Sequence, residues 1–336
     1  MDKAAWQIAI VFAGSALGGT YLGGYEWLRF FTYFGSWGTI GIVLVSLGMG
    51  WLGYSLLALC HRIGARSIYD LYLYLFGEAI ASTLSVVTHF LLIAYVGVMI
   101  SQMASNLIQG LSPIWFILLT ILLSVVFILR SWKWIVSGLG ISLAIGFFLF
   151  GLIFIEQFHV PIPGLGYQMN LNWLIHSLFY LASHTLLCIV VTIPLAARTG
   201  SEHTLWRGVG IGTGFFFLTT LLGQAILLAY WHDVHALALP TKQILLQLIP
   251  MGDWLLAILS LAHGALMIAT LTYALAAPVA QRNDLQLAPL VLVILVTLLL
   301  VALVPLAIPW STTVIASAAT YCGMLVLGRY IWKRQS

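Results

Sequence analysis

From Ala79 to Leu129 the chain carries no Asp, Glu, Lys or Arg, and the same holds for Gln157 to Ala197 and Leu285 to Gly328. A membrane-crossing helix needs about 20 apolar residues, so each run is long enough for two crossings. In lipid every backbone polar group must be satisfied inside the chain, which leaves helices as the only structure for segments of this kind. Composition agrees: 62% of the residues are hydrophobic and 7% charged, against about 25% charged in soluble domains. The net charge of +4 does not indicate a nucleic-acid surface, because the basic residues stand singly between apolar runs. Cys60, Cys188 and Cys322 lie in apolar segments without CxxC spacing, so neither a disulfide framework nor a structural zinc site follows. A cleaved signal peptide fits the N-terminus poorly, since Asp2 offsets Lys3 and apolar sequence resumes beyond a run of glycines.

Divided at Pro, Gly and charges, the chain yields ten spans, roughly 4–31, 36–60, 76–108, 113–130, 133–156, 171–197, 206–231, 252–277, 286–304 and 308–330. This describes an all-α polytopic protein and one transmembrane domain over 1–336. With the N-terminus inside, eleven of the 13 Lys and Arg residues fall on the cytoplasmic side and only Arg29 and Lys242 outside, as the positive-inside rule requires. Both termini and the 61–70 loop are then cytoplasmic, and 157–170 and 232–251 external. The second external stretch contains an apolar-periodic piece that reads equally as a short helix or a plain connector.

Within the first span stands "GSALGGTYLGGYEW", residues 14–27, rich in a residue about 1 kcal/mol worse than Ala inside a helix. Glycine clusters in spans serve close helix packing or mark a discontinuous helix whose unwound backbone lines a cavity. The ten spans divide into two sets of five, 1–157 and 171–336; repeats of odd span number must be inverted in the membrane. The sixth span carries a polar interruption, "YLASHTLLC", at the position corresponding to the glycines. Paired discontinuities of this kind point to a transporter site.

The segment "AWQIAIVFAGSALGGTYLGGYEWLRFFTYFGSWGTIGI" resembles the start of the YkvI-like family of bacterial membrane proteins, in the amino acid–polyamine–organocation superfamily. The family pattern "VGAGFATGQE…FF..FG..G" aligns with Gly18 to Glu26 and then Phe30, Phe31, Phe34, Gly35 and Gly38. The match continues through "HRIGARSIYDLYLYLFG", and span six is similar to the family's "YvaYN" stretch, with Ser183 and His184 standing where Tyr and Asn are usual. The resemblance covers about the first 80 residues. It implies the five-plus-five inverted-repeat fold of the leucine transporter with helices 1 and 6 discontinuous, a transport function, and a bacterial plasma-membrane location.

In such a fold Gly18, Gly19 and Thr20 start the outer half-helix, whose free N–H groups receive a carboxylate, while carbonyls of Gly14 to Leu17 receive an ammonium or a cation. The substrate-binding candidates are therefore Ser15, Ala16, Gly18, Gly19 and Thr20, facing Ser183, His184 and Thr185. Intramembrane ionisable residues mark function by default. Glu26 and Arg29 read either as a local pair at an outer gate or as a solvated interfacial pair. His89, His184 and His263 lie near the middle of spans 3, 6 and 8. They read as hydrogen-bonded core residues, as proton carriers, or as soft-metal ligands with Cys188 and Met267. His184, in the span-6 interruption, is the leading candidate, and solute binding is expected to take up a proton there. Thr270 is the candidate for a sodium site, but Leu271 separates it from Thr272, which favours protons over sodium. No HExxH, G-x-S-x-G or Walker A stretch is present, so catalysis is not expected, nor a resident cofactor or metal. The expected partners are a small zwitterionic solute, a coupling ion and the lipid bilayer, with no nucleic acid. Transition-metal transport through the histidines and solute sensing without transport are the alternatives.

Overall fold

A computed structural model describes residues 2–107, 112–161 and 171–335. The first span is two helices, α1 (Lys3–Leu17) and α2 (Tyr25–Phe30), joined by a non-helical stretch. There follow α3 (Ser36–Arg62), α4 (Ile68–Phe76), α5 (Glu78–Asn106), α6 (Pro113–Arg130) and α7 (Trp132–Glu156). The second half has α8 (Asn172–Ala196), α9 (Glu202–Ala229), α10 (Trp231–Val234), α11 (Pro240–Leu248), α12 (Gly252–Asn283), α13 (Leu287–Ala307) and α14 (Ser311–Gln335). Among the described residues nine helices are long and apolar enough to cross a membrane; the broken α1–α2 span makes ten. Part of the expected 157–170 loop, 162–170, and residue 108 of the expected third span lie outside the described residues.

Two short helices sit in equivalent connectors, α4 between the second and third crossings and α11 between the seventh and eighth. The Ser67 hydroxyl accepts from Asp70 N–H while the Asp70 carboxylate accepts from Ser67 N–H, a reciprocal cap that starts α4. Pro240 occupies the first turn of α11, where its missing N–H is harmless. This helix packs on α12 and on the turn after α1, so the apolar-periodic piece of 232–251 is a helix rather than a connector.

Packing is symmetric on exchange of the two halves. Crossing α1 packs on α9 as α8 packs on α3, α5 on α13 as α12 on α6, and α14 on α8 as α7 on α1. Small residues allow the closest approaches. A methyl on Gly212 would meet the Ala9 carbonyl at 2.8 Å, and one on Gly208 the Ile8 side chain at 2.7 Å. Close packing thus uses glycines of α9 against α1. Exposed apolar side chains are spread over several crossings, among them Leu47 on α3, Leu122 on α6, Leu152 on α7 and Leu300 on α13, whereas of the nine long crossings α8 and α12 are the most enclosed.

One expectation about the fold is corrected: α8 is continuous through "YLASHTLLC". The Ser183 hydroxyl donates to the Phe179 carbonyl of its own helix at 3.0 Å, so its polarity is absorbed within the helix and no backbone group needs to be released. Pro194 is the only proline in α8 and lies in its last turn.

The basic residues assigned to one membrane side also meet at one end of the bundle. Arg62 makes two bonds to the Glu202 carboxylate, at 2.6 and 2.8 Å. Arg282 lies 3.6 Å from Asp70, the Arg329 guanidinium donates to the Leu75 carbonyl at 2.9 Å, and Lys333 donates to the Tyr74 carbonyl. These contacts tie α3 to α9, and the ends of α12 and α14 to α4. At the opposite end Gln224 accepts from the Thr32 hydroxyl at 2.8 Å and donates to the Gly35 carbonyl at 3.1 Å.

Candidate functional site

The break in the first crossing is longer than the glycine pair alone implies. Helix α1 ends at Leu17, and Gly18 follows with φ 80° and ψ 167°, a conformation open essentially to glycine. A 3-10 turn over Tyr21–Gly23 comes next, then Gly24 in the left-handed region, φ 75°. The outer half therefore starts at Tyr21 and becomes α-helical only at Tyr25, not at Gly18 to Thr20 as expected. The two positive-φ glycines turn the chain twice, and a helix cannot propagate through either. Among the described residues no acceptor receives the N–H groups of Gly19 or Thr20, which form the turn leading into Tyr21. Beside Gly19 the space is open: a methyl there would meet nothing nearer than Met267 Cβ, at 3.8 Å. The Thr20 side chain lines a cavity of about 600 Å³, together with Gln102 and Ser105 of α5 and Leu239 before α11.

Glu26 corrects the sequence reading. It makes no ion pair with Arg29 among the described residues, and it is 9% exposed rather than solvated at an interface. The turn at Gly24 aims its carboxylate back into the break. Its Oε1 accepts from the Tyr95 hydroxyl of α5 at 3.1 Å, and its Oε2 lies 3.6 Å from His184 Nε2 of α8. Neither Oε2 nor Nε2 has a hydrogen-bond partner among the described residues. The His184 ring is fully buried and stacked on Tyr180, with centroids 3.8 Å apart and planes within 7°. Arg29 instead reaches the Tyr25 hydroxyl at 3.5 Å. A cavity of about 260 Å³ between α2, α5, α8 and α14 has Glu26, Tyr95 and Ser183 in its wall. It adjoins the larger cavity at Tyr25, Gln102 and Thr312.

The three histidines have different surroundings. His263 Nε2 lies 3.2 Å from the Gly18 carbonyl and its Nδ1 2.8 Å from the Ser142 hydroxyl. A neutral ring satisfies both, donating to the carbonyl and accepting from the serine, so His263 ties the end of α1 to α12 and α7. His89 lies apart, bonded to the Ser85 carbonyl of its own helix at 2.7 Å, in a cavity lined also by Arg282 and Asn283. Only His184 faces a carboxylate.

The remaining candidates divide likewise. The Ser15 hydroxyl donates to Val11 O in its own helix, and the Ala16 carbonyl accepts from the Tyr180 hydroxyl at 2.9 Å. Cys188 Sγ bonds the Phe12 carbonyl at 3.5 Å, and Thr185 is buried with its hydroxyl unpartnered. Thr270 donates to the Leu266 carbonyl of its own helix at 2.7 Å, whereas the Thr272 hydroxyl is buried without a partner among the described residues. Sequence reasoning missed Tyr95, Tyr180 and Ser142; a lone tyrosine or serine in an apolar span gives no signal of which face it occupies. A cavity of about 300 Å³ approaches from the other end of the bundle, lined by Val191 and Arg198 beyond α8's midpoint and by Tyr273 and Gln281 of α12. Clefts thus enter the fold from both ends.

No protein-family model matches the chain. It is 28% identical, over 71% of its own length and 71% of the other, to the uncharacterized membrane protein YkvI of Bacillus subtilis (strain 168). The resemblance therefore extends well beyond the first 80 residues. Among solved structures it is similar to MhsT in complex with L-phenylalanine, with TM-score 0.69 and 15% identity over 97% of this chain and 88% of that one. It is also similar to a Na+-coupled sialic acid symporter in a substrate-bound outward-open state, with TM-score 0.62 and 12% identity over 96% and 78% of the two chains. A manganese transporter of Eremococcus coleocola, in complex with an aromatic bis-isothiourea substituted compound, gives TM-score 0.55 and 15% identity over 96% and 76%. These structural neighbours are transporters rather than enzymes, and at such identities they establish the fold alone. The chain is a multi-pass membrane protein of the leucine-transporter fold and a relative of YkvI.

Proposed function

We propose that the protein is a secondary transporter of a small zwitterion, an amino acid or a related amine, coupled to protons. The observation that carries this reading is the break itself, where the N–H groups of Gly19 and Thr20 and Oε2 of Glu26, without partners among the described residues, flank the same open stretch of backbone. A solute carboxylate takes the N–H groups, as anions do at helix N-termini, and a solute ammonium takes Glu26. Gly18 and Gly19 let both approach the backbone. Of the structural neighbours, MhsT was solved with L-phenylalanine, an α-amino acid of this description. Protons are favoured over sodium because the Thr270 hydroxyl is turned to its own helix and His263 already occupies the Gly18 carbonyl. Metal cargo has less support, since no group of three His, Cys, Asp or Glu residues converges among the described residues.

The reading includes a bacterial plasma membrane with both termini cytoplasmic, on the distribution of Lys and Arg. Cysteines introduced at positions 64 and 334 are then expected to resist an impermeant thiol reagent in intact cells, and external labelling at either reverses the orientation. The functional test is flux into proteoliposomes from a panel of L-amino acids, primary amines, sialic acid and divalent metals. Uptake or exchange of an amino acid or amine, lost in Gly19→Leu, is the expected result. Flux confined to metals or to non-nitrogenous acids overturns the reading, and tight amino acid binding without flux makes the protein a sensor.

A further inference from the structure

We infer that the Glu26–His184 pair holds either one proton or one ammonium group, so that binding of an amine expels a proton and transport is an exchange of solute for protons. This rests on the zwitterion reading and goes beyond it, giving the coupling the opposite sign to the proton uptake expected from sequence.

The argument starts from the tautomer of His184. Its Nδ1 lies 3.3 Å from the Tyr180 carbonyl and 3.2 Å from Ser183 Oγ. The Ser183 hydroxyl spends its hydrogen on the Phe179 carbonyl, so both neighbours of Nδ1 are acceptors and Nδ1 carries the hydrogen. Stacking on Tyr180 holds the ring in that orientation. In the neutral ring Nε2 is then a bare acceptor, and what it faces, at 3.6 Å, is Glu26 Oε2, a second acceptor. Tyr95 has only one hydrogen and gives it to Oε1. Two buried acceptors that face each other without a donor are unstable, and a lone carboxylate in a membrane interior is costly.

The other groups around the pair do not relieve it. From α2, Arg29 is turned to the Tyr25 hydroxyl. From α5 the facing group is Tyr95, and from α8 they are Tyr180 and Ser183. His176, one turn before Tyr180 on α8, packs at a tilt against Phe34. From α1 comes only Gly18, whose missing Cβ would lie 3.3 Å from Oε2 and 3.4 Å from Nε2. Glycine keeps open the very gap that a donor must fill.

Two occupants supply that donor. A proton on Nε2 makes an imidazolium that donates to Oε2. A primary ammonium at the gap donates one N–H to each atom, with Nε2 deprotonated. The exchange balances: Glu26 carboxylate with protonated His184, plus R–NH3+, gives Glu26 carboxylate with neutral His184 and bound R–NH3+, plus H+ released to solvent. Pair and occupant together carry no net charge in either state, so neither leaves the buried carboxylate uncompensated. Because the imidazolium N–H and the ammonium need the same lone pair and the same space, they exclude each other. The carrier loaded with solute on one side then returns loaded with a proton.

The test is titration of purified protein with methylammonium, the smallest probe bearing the group, in weakly buffered medium with a pH indicator. Release of about one proton per amine bound is expected from the wild type. Glu26→Gln presents an amide N–H to Nε2 and needs no proton, so it stays folded but binds no methylammonium and releases nothing. Absence of release from the wild type at the highest attainable methylammonium concentration, or equal release from Glu26→Gln, overturns the inference. Amino acid binding without proton release overturns it while leaving the zwitterion reading standing. Methylammonium-driven release with no amino acid bound does the reverse.

Discussion

Replacing Gly18 by Ala and Gly19 by Ala should have opposite effects on stability, although the two residues are adjacent in the same glycine pair. At Gly18 the backbone sits at φ 80°, ψ 167°, where a side chain costs about 1–3 kcal/mol in backbone strain alone. The added methyl would lie 2.9 Å from Met99 Cε, the flexible end of a side chain that can swing aside, and 3.3 and 3.4 Å from Glu26 Oε2 and His184 Nε2. These last two cannot yield easily, because Tyr95 and the Tyr180 stack hold them. The loss should therefore be about 2 kcal/mol, mostly backbone in origin. Gly19 has no positive φ and a free radius of 3.8 Å. There Ala should be neutral or stabilise by up to about 1 kcal/mol through the unfolded chain. Thermal unfolding in detergent, followed by tryptophan fluorescence with size-exclusion controls, reads both. The double variant Gly18→Ala/Met99→Ala separates strain from clash: if strain dominates, removing the Met99 side chain restores nothing. A Gly18→Ala protein that melts with the wild type, or is rescued by Met99→Ala, refutes the account of the break.

The His263 tether predicts that His263→Phe, which keeps a ring but strips the Gly18 carbonyl and the Ser142 hydroxyl of their partner, costs about 1–3 kcal/mol in the same assay. Ser142→Ala should cost about 1 kcal/mol, and the order reverses if the histidine only fills space. Gln224→Leu removes one of the acceptors of the Thr32 hydroxyl, which also bonds the Trp27 carbonyl, and the donor to the Gly35 carbonyl, and should lower stability by about 1–3 kcal/mol; an unchanged melting temperature would mean that this corner is not held by hydrogen bonds. At the start of α1 the Thr204 hydroxyl, with the Ala4 N–H, holds the Asp2 carboxyl below its ordinary range. A depressed folded-state pKa stabilises above the unfolded value of about 3.9 and loses that contribution as pH falls through the folded one. Wild type should then melt above Asp2→Asn at neutral pH, with the gap closing in acid; a gap that widens in acid contradicts the cap.

The ten crossings and their ends are legible in the sequence because lipid imposes its demands locally along the chain. A run without charge must be helix, and its length and flanking Lys or Arg say where it enters and leaves. The break at Gly18 to Gly24 is legible for a similar reason, since so many glycines weaken a helix wherever it packs. Position along each span can also be counted from the sequence, and it reads His89, His184 and His263 as lying near the middle of theirs. What position leaves open is which way each residue faces. The fold gives His263 the Gly18 carbonyl and Ser142, leaves His89 on its own Ser85, and alone sets His184 opposite a carboxylate. Glu26 reads along the chain as the partner of Arg29, at an outer gate or at the interface, and only the left-handed turn at Gly24 brings it inward. The polar run of the sixth crossing reads as a second break, yet Ser183 satisfies itself within an unbroken helix. Helix existence depends on the solvent around a segment. The pairing of side chains depends on rotation about helix axes, and that is settled only when ten helices pack.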